Sequence, residues 1–160
     1  MKLGWGVAAL VLALGVGASA TAAEAPRSPM EVVRALYTEP SIAFGGPQSS
    51  DYLAQDLVGA LRSVPAYGVG GHRPMPMDFD YRYGARETEI SGFMLLPRDD
   101  ADQAQVVAVF MNFGKPESVD WTLCRGPDGD WRIADAFSNS DSHNWDLRDM
   151  LRLPQTVVRC

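Results

Sequence analysis

Asp135 is the residue whose setting most suggests chemistry. It lies in the run Asp130-Trp131-Arg132-Ile133-Ala134-Asp135-Ala136-Phe137, where Trp131, Ile133 and Phe137 recur every second residue. Strand alternation would place Asp135 on their apolar face, beside Trp121 and Leu123 of the preceding run. A carboxylate among apolar groups has its pKa raised and becomes a candidate general acid or base. A bulge that turns it outward, or a backbone or arginine partner, would instead make it structural. A second group is Asp78, Asp80, Tyr81 and Tyr83. Two carboxylates spaced by two share a face of extended chain and could rim a pocket, while Tyr37, Tyr52, Tyr81 or Tyr83 could wall a cavity with Asp135. Alternatively, the two carboxylates bond a local turn.

Other constellations are weaker. Ser138, Ser140, Asp141, Ser142 and His143 contain no Gly-x-Ser-x-Gly elbow, and a serine-rich run before a helix is what capping requires. His72 and His143 lie far apart without metal-ligand spacing. Asp99, Asp100 and Asp102 lack the glycine and closing glutamate of a calcium loop and read as a hairpin turn. Gly68, Gly70 and Gly71 have no strand leading in and no helix leading out, so they do not form a phosphate cradle. No metal site or cofactor motif is expected.

The elements that would position these residues follow in order. Ser28-Pro29-Met30-Glu31 is a capping box, followed by Met30, Val33, Leu36 and Tyr37 at helical spacing and ended by Pro40. A second helix, capped at Ser49 or Ser50, would carry Leu53, Leu57, Val58 and Leu61 and stop at Pro65. Residues 65–84 read as a Gly/Pro-rich loop. Strand-like runs follow at 90–96, 105–113, 119–124 and 130–137, and residues 106–110 are apolar on both faces, as in a strand covered on both sides. Gly126-Pro127-Asp128-Gly129 marks a hairpin. Asn144 would cap a short closing helix with Leu147, Met150 and Leu151. Helices, then an antiparallel meander, then a closing helix predict an α+β fold.

Tyr37, Asp78-Phe79-Asp80, the run from Gly129 to Asp135 and the stretch from Leu147 to Leu151 give the chain a further resemblance. It resembles the nuclear transport factor 2-like superfamily, and within it an uncharacterised family of exported bacterial domains. The resemblance implies N-terminal helices packed on a curved antiparallel sheet, a cone. The superfamily includes isomerases, dehydratases, ligand carriers and interaction modules, so it leaves function open.

The N-terminus reads as a secretory signal: Lys2, an apolar run over residues 5–16, then small residues over 18–23. The run is about a dozen residues, short of the roughly 20 needed to span a bilayer. No cysteine precedes Cys124 to carry a lipid. Cleavage after Ala20, Ala22 or Ala23 would leave one domain, residues 24–160, in the periplasm or medium. The whole chain carries 20 acidic and 14 basic residues, a net charge of −6, and loss of Lys2 makes it more negative. That balance opposes binding to nucleic acid or anionic lipid and favours basic partners. In an exported chain Cys124 and Cys160 are expected to be joined, contributing roughly 3–4 kcal/mol, the alternative being free thiols. Three readings follow. They are a binding or interaction module of the cell envelope with a small-molecule or protein partner, an inhibitor or immunity protein against a cationic hydrolase or toxin, and a small-molecule isomerase or dehydratase using Asp135.

Overall fold

A computed structural model describes residues 27–64, 78–100, 103–140, 143–156, 158 and 160. The proposed signal, the loop containing His72 and the three glycines, and Asp102, Asp141 and Ser142 lie outside these residues.

The first helix, α1 (Pro29–Thr38), begins where the sequence demands. Ser28 caps it, Pro29 opens it, and both bonds of the Ser28–Glu31 capping box are made. Val32, Val33 and Leu36 form its buried face. Pro40 ends α1, yet it also opens a further single-turn helix, α2 (Pro40–Ala43), as proline at a first helical position can.

The next helix corrects the expected start. Ser49–Asp51 is only a 3-10 turn, and α3 runs from Gln55 to Ser63 with Ala54, not Ser49 or Ser50, at its cap. The cause is long-range. Tyr52, Leu53 and Ala54 lie along the fourth strand, with the Ile133 N–H donating to the Tyr52 carbonyl and the Ala54 N–H to the Ile133 carbonyl, each at 2.8 Å. Residues tied into a ladder cannot also start a helix.

Five antiparallel strands follow in the spatial order of the chain: β1 (Ile90–Asp100), β2 (Gln103–Asn112), β3 (Lys115–Arg125), β4 (Trp131–Ser140) and β5 (His143–Asp146). The fold is α+β with an open sheet. At the β3–β4 turn the Gly129 N–H donates to the Gly126 carbonyl at 2.9 Å, and Gly129 takes φ +87°, a region open to glycine. Asn144 lies within β5, so Asp146 caps the closing helix α4 (Leu147–Met150) instead.

Val106, Ala108 and Phe110 of β2, with Val119, Trp121 and Leu123 of β3, face the helices and are buried. They pack with Leu36, Leu57, Leu61 and Tyr81. Coverage of β2 is not symmetric. Val107 and Val109 are only half-buried on the opposite face, where Met94 and Leu96 of β1 are 56% and 46% exposed. Cys124 and Cys160 form a disulfide that joins residues 36 apart in sequence, with Cα atoms 6.0 Å apart. This bond suits an oxidising compartment. Among the described residues no helix is long and apolar enough to cross a membrane.

Candidate functional site

The register of β3 with β4 decides where Asp135 points. Leu123 pairs with Ile133, Thr122 with Asp135 and Trp121 with Ala136, so Ala134 is an extra residue, a bulge. Beyond it the alternation is reversed. Ile133, Ala136 and Ser138 are buried on the helix-facing side, whereas Asp135 and Phe137 stand opposite Thr122 and Asp120 on the other face. The expectation that Phe137 and Asp135 share the face of Ile133 is therefore corrected. Trp131 keeps its expected side, half-buried against the core with the Arg125 guanidinium 5.6 Å from its ring centroid.

On this outer face Asp135 lies against the end of the chain. Its Oδ1 accepts hydrogen bonds from the backbone N–H groups of Ala136 (2.8 Å) and Arg148 (3.2 Å). Burial pushes its carboxyl up to about 7, and the Asp146 charge adds to the rise, against the two N–H donors and the Arg148 charge. That range suits proton transfer. The neighbouring Arg148 is 1% exposed, and its guanidinium reaches Asp56 Oδ2 at 2.6 Å, the Ala134 carbonyl at 3.1 Å and the Pro154 carbonyl at 2.7 Å. It thus ties α3, β4 and the C-terminal segment together.

The tyrosines and the remaining acids gather elsewhere, on the helix side. Tyr37 donates from its hydroxyl to the Arg82 carbonyl (2.8 Å) and accepts from Trp121 Nε1 (3.2 Å). Burial raises its pKa well above the usual tyrosine value, partly offset by the Trp121 bond. Tyr81 is fully buried and donates to the Ala43 carbonyl. Asp80 holds Arg82 through both oxygens, at 3.0 and 3.2 Å from Nε. Arg82 also donates to the Leu36 carbonyl at 3.0 Å. Asp78 pairs with Arg86. Tyr37, Asp80 and Tyr81 are therefore brought together, with Asp78 in the same turn region, but Asp135 is not among them. Each of the three has its polar group used within the protein.

Among the described residues, two surface hollows stand out. One, of about 710 Å³, lies on the outer face beside Met94, Val109, Met111, Lys115, Pro116 and Ser118. The other, of about 460 Å³, is bordered by Phe137, Asn144, Trp145, Asp146 and Asp149. None of Tyr37, Tyr52, Tyr81, Tyr83 and Asp135 lines either. Among the described residues, no group of three His, Cys, Asp or Glu side chains is placed to hold a metal ion. Sequence reading missed Arg82, Arg148 and Trp145. Trp145 is 8% exposed, and among the described residues its Nε1 has no hydrogen-bond partner. An added Cβ at Gly84 would come within 2.9 Å of that nitrogen, so glycine there admits the indole.

No family model, no curated protein and no solved structure matches the chain.

Proposed function

We propose that this chain is an exported interaction domain of the cell envelope, with a nuclear transport factor 2-like architecture, that engages a protein partner on the outer face of its sheet. What carries the reading is the unequal finish of the two faces. On the helix side, Trp121, Tyr81, Leu36 and Leu57 fill the interior and the polar groups of Tyr37, Tyr81 and Arg82 are bonded internally. On the outer side, Met94 and Leu96 pair with Val109 and Val107, and Met111 extends the apolar patch to the hollow of about 710 Å³. Exposed apolar surface of this kind, rimmed by polar groups, marks protein contacts.

Charge supports a basic partner. The chain carries −6 overall, and Asp120, Asp135 and Asp146 stand on that same face around Phe137. Inhibition of a cationic hydrolase or toxin is the narrower form of this reading. The cone architecture is supported by the order of elements, helices first and an antiparallel meander after them. Removal of residues 1–23 is supported by the disulfide, which belongs to an oxidising compartment. The position of Asp135 outside the helix-lined interior gives no support to catalysis within a cone.

A photo-crosslinking residue at Val109, introduced in the producing cell, tests the docking face, with exposed Gln55 at the start of α3 as the contrast. A discrete protein adduct at Val109 and none at Gln55 is expected. The captured protein, once purified, should lose at least about tenfold in affinity for Val109→Glu at an unchanged melting temperature. Adducts confined to Gln55, or unaltered binding by Val109→Glu, would overturn the assignment.

A further inference from the structure

The sheet ends in two unlike edges. β5 spans four residues and runs straight into α4, so it offers little free backbone. β1 spans 11 residues and, among the described residues, pairs only with β2. Long edge strands are usually interrupted by charges, prolines or bulges that stop another chain from pairing with them. In β1 the interruptions stand at the two sides of an apolar run, Phe93-Met94-Leu95-Leu96, that carries no charge. Before it lies a bulge between Ser91 and Met94, where Gly92 takes φ +62°, and after it comes Pro97. Phe93, Met94 and Leu96 are exposed.

The register tells which backbone groups of β1 are open. Asn112 pairs with Lys115 across a two-residue turn, Phe113-Gly114, in which both φ values are positive. Such a turn bonds its flanking residues to each other, so Asn112, Phe110, Ala108 and Val106 bond toward β3. The alternate residues Val109, Val107 and Gln105 then bond toward β1. The Phe113 N–H keeps this alternation, donating to the Glu89 carbonyl at 3.1 Å. Met94, Leu96 and Arg98, the partners of those three residues, are therefore bonded within the sheet. The Leu95 and Asp99 N–H groups, and the carbonyls of Leu95, Pro97 and Asp99, are directed away from β2. Pro97 thus costs the ladder no bond, which is why a proline is tolerated in mid-strand.

Charge selects the occupant of this edge. The two arginines beside it are paired within the chain, Arg86 with Asp78 and Arg98 with Asp120. Exposed Glu87 and Glu89 precede the strand, and Asp99 and Asp100 end it. A second copy laid antiparallel on β1 would bring the acidic start of one strand against the acidic end of the other. We infer that the open edge of β1 takes up an extended segment of a basic partner, apolar at its centre and flanked on both sides by lysine or arginine, as an added strand. This mode rests on the basic partner proposed above and specifies its contact. Main-chain bonds to Leu95, Pro97 and Asp99 hold the segment, and its side chains continue the apolar surface of Met94 and Leu96.

The probe is the peptide acetyl-Lys-Lys-Val-Thr-Val-Thr-Val-Lys-Lys-amide, titrated into the chain with its disulfide intact and followed by amide hydrogen exchange. In the free chain the Leu95 amide should exchange at least about tenfold faster than those of Met94 and Leu96. Saturating peptide should raise Leu95 protection at least about tenfold and leave Val106 and Ala108 unchanged. The same peptide with glutamate for lysine should bind at least about tenfold more weakly. Of two versions N-methylated at the valines or at the threonines, one should lose at least about tenfold in affinity, since only one side of an added strand faces β1. A Leu95 amide left unprotected, equal binding of the glutamate peptide, or full binding of both methylated peptides would overturn the added strand. The outer-face reading is separated by its own crosslink. A Val109 adduct without Leu95 protection keeps the face and removes the edge, and Leu95 protection without a Val109 adduct does the reverse.

Discussion

Two buried arginines hold the molecule together in different ways. Arg82, 7% exposed, takes its carboxylate from Asp80, two residues away, and adds one long-range bond to the Leu36 carbonyl. Arg148, 1% exposed, takes its carboxylate from Asp56, 92 residues away, and adds carbonyls from β4 and the C-terminal segment. The first pair can form within its own turn. The second exists only when α3, β4 and the chain end are already assembled. A buried cation with a local partner thus shapes a loop, whereas one with distant partners reports on, and secures, the tertiary structure.

The comparison can be broken by truncating each arginine. Arg148→Ala should have the largest effect, about 3–5 kcal/mol, because it leaves the Asp56 carboxylate and the buried Ala134 carbonyl without their donor and frees the Pro154 carbonyl. The disulfide comes next. Replacing Cys124 and Cys160 together by serine should cost about 3 kcal/mol, and less than that in an Arg148→Ala background, since both devices restrain the same C-terminal segment. Arg82→Ala should cost about 1–3 kcal/mol, as the Asp80 side chain is 23% exposed and can recover water. Urea unfolding of the four variants measures all of these. Equal losses for the two arginines would mean that the sequence distance of the partner does not matter here.

The parts legible in the sequence are those fixed by nearby residues. The Ser28–Glu31 box and Pro29 set the start of α1 within a few residues, and Gly126 to Gly129 set the hairpin that aligns β3 with β4. The Cys124–Cys160 bond was legible for a different reason, the compartment implied by the N-terminus. What was not legible depended on distant partners. The start of α3 is delayed because Ile133 claims the backbone of Tyr52 and Ala54. The bulge at Ala134 leaves no trace in an alternation count, since alanine suits either face, yet it reverses Asp135 and Phe137 together. β5 is polar and only four residues long, so its pattern offers no period. Arg148 lies off the Leu147, Met150 and Leu151 stripe and reads as a surface residue until its partners are assembled around it.

The smallest effect concerns Tyr37, which the sequence offered as a ligand-binding candidate and whose hydroxyl bridges the two faces of the comparison on the Arg82 side. Its phenol donates to the Arg82 carbonyl at 2.8 Å and accepts from Trp121 Nε1 at 3.2 Å, linking the 80s turn to β3. Its ring packs 4.6 Å from Phe93 and 5.4 Å from Tyr83 between centroids. Tyr37→Phe keeps that packing but deprives a buried indole N–H of its acceptor, so a loss of about 1–2 kcal/mol is expected at neutral pH. The advantage of the wild type shrinks in alkali. Burial holds the folded phenol neutral well above the ordinary 10.0, so stability from this group is present below about pH 10 and falls as the unfolded phenol ionises above it. Tyr37→Phe should therefore be less stable than wild type at pH 7, with the gap narrowing in melts above about pH 10. A gap that stays constant across that range would place the Tyr37 hydroxyl in water, and with it reopen Tyr37 as a surface contact for a ligand.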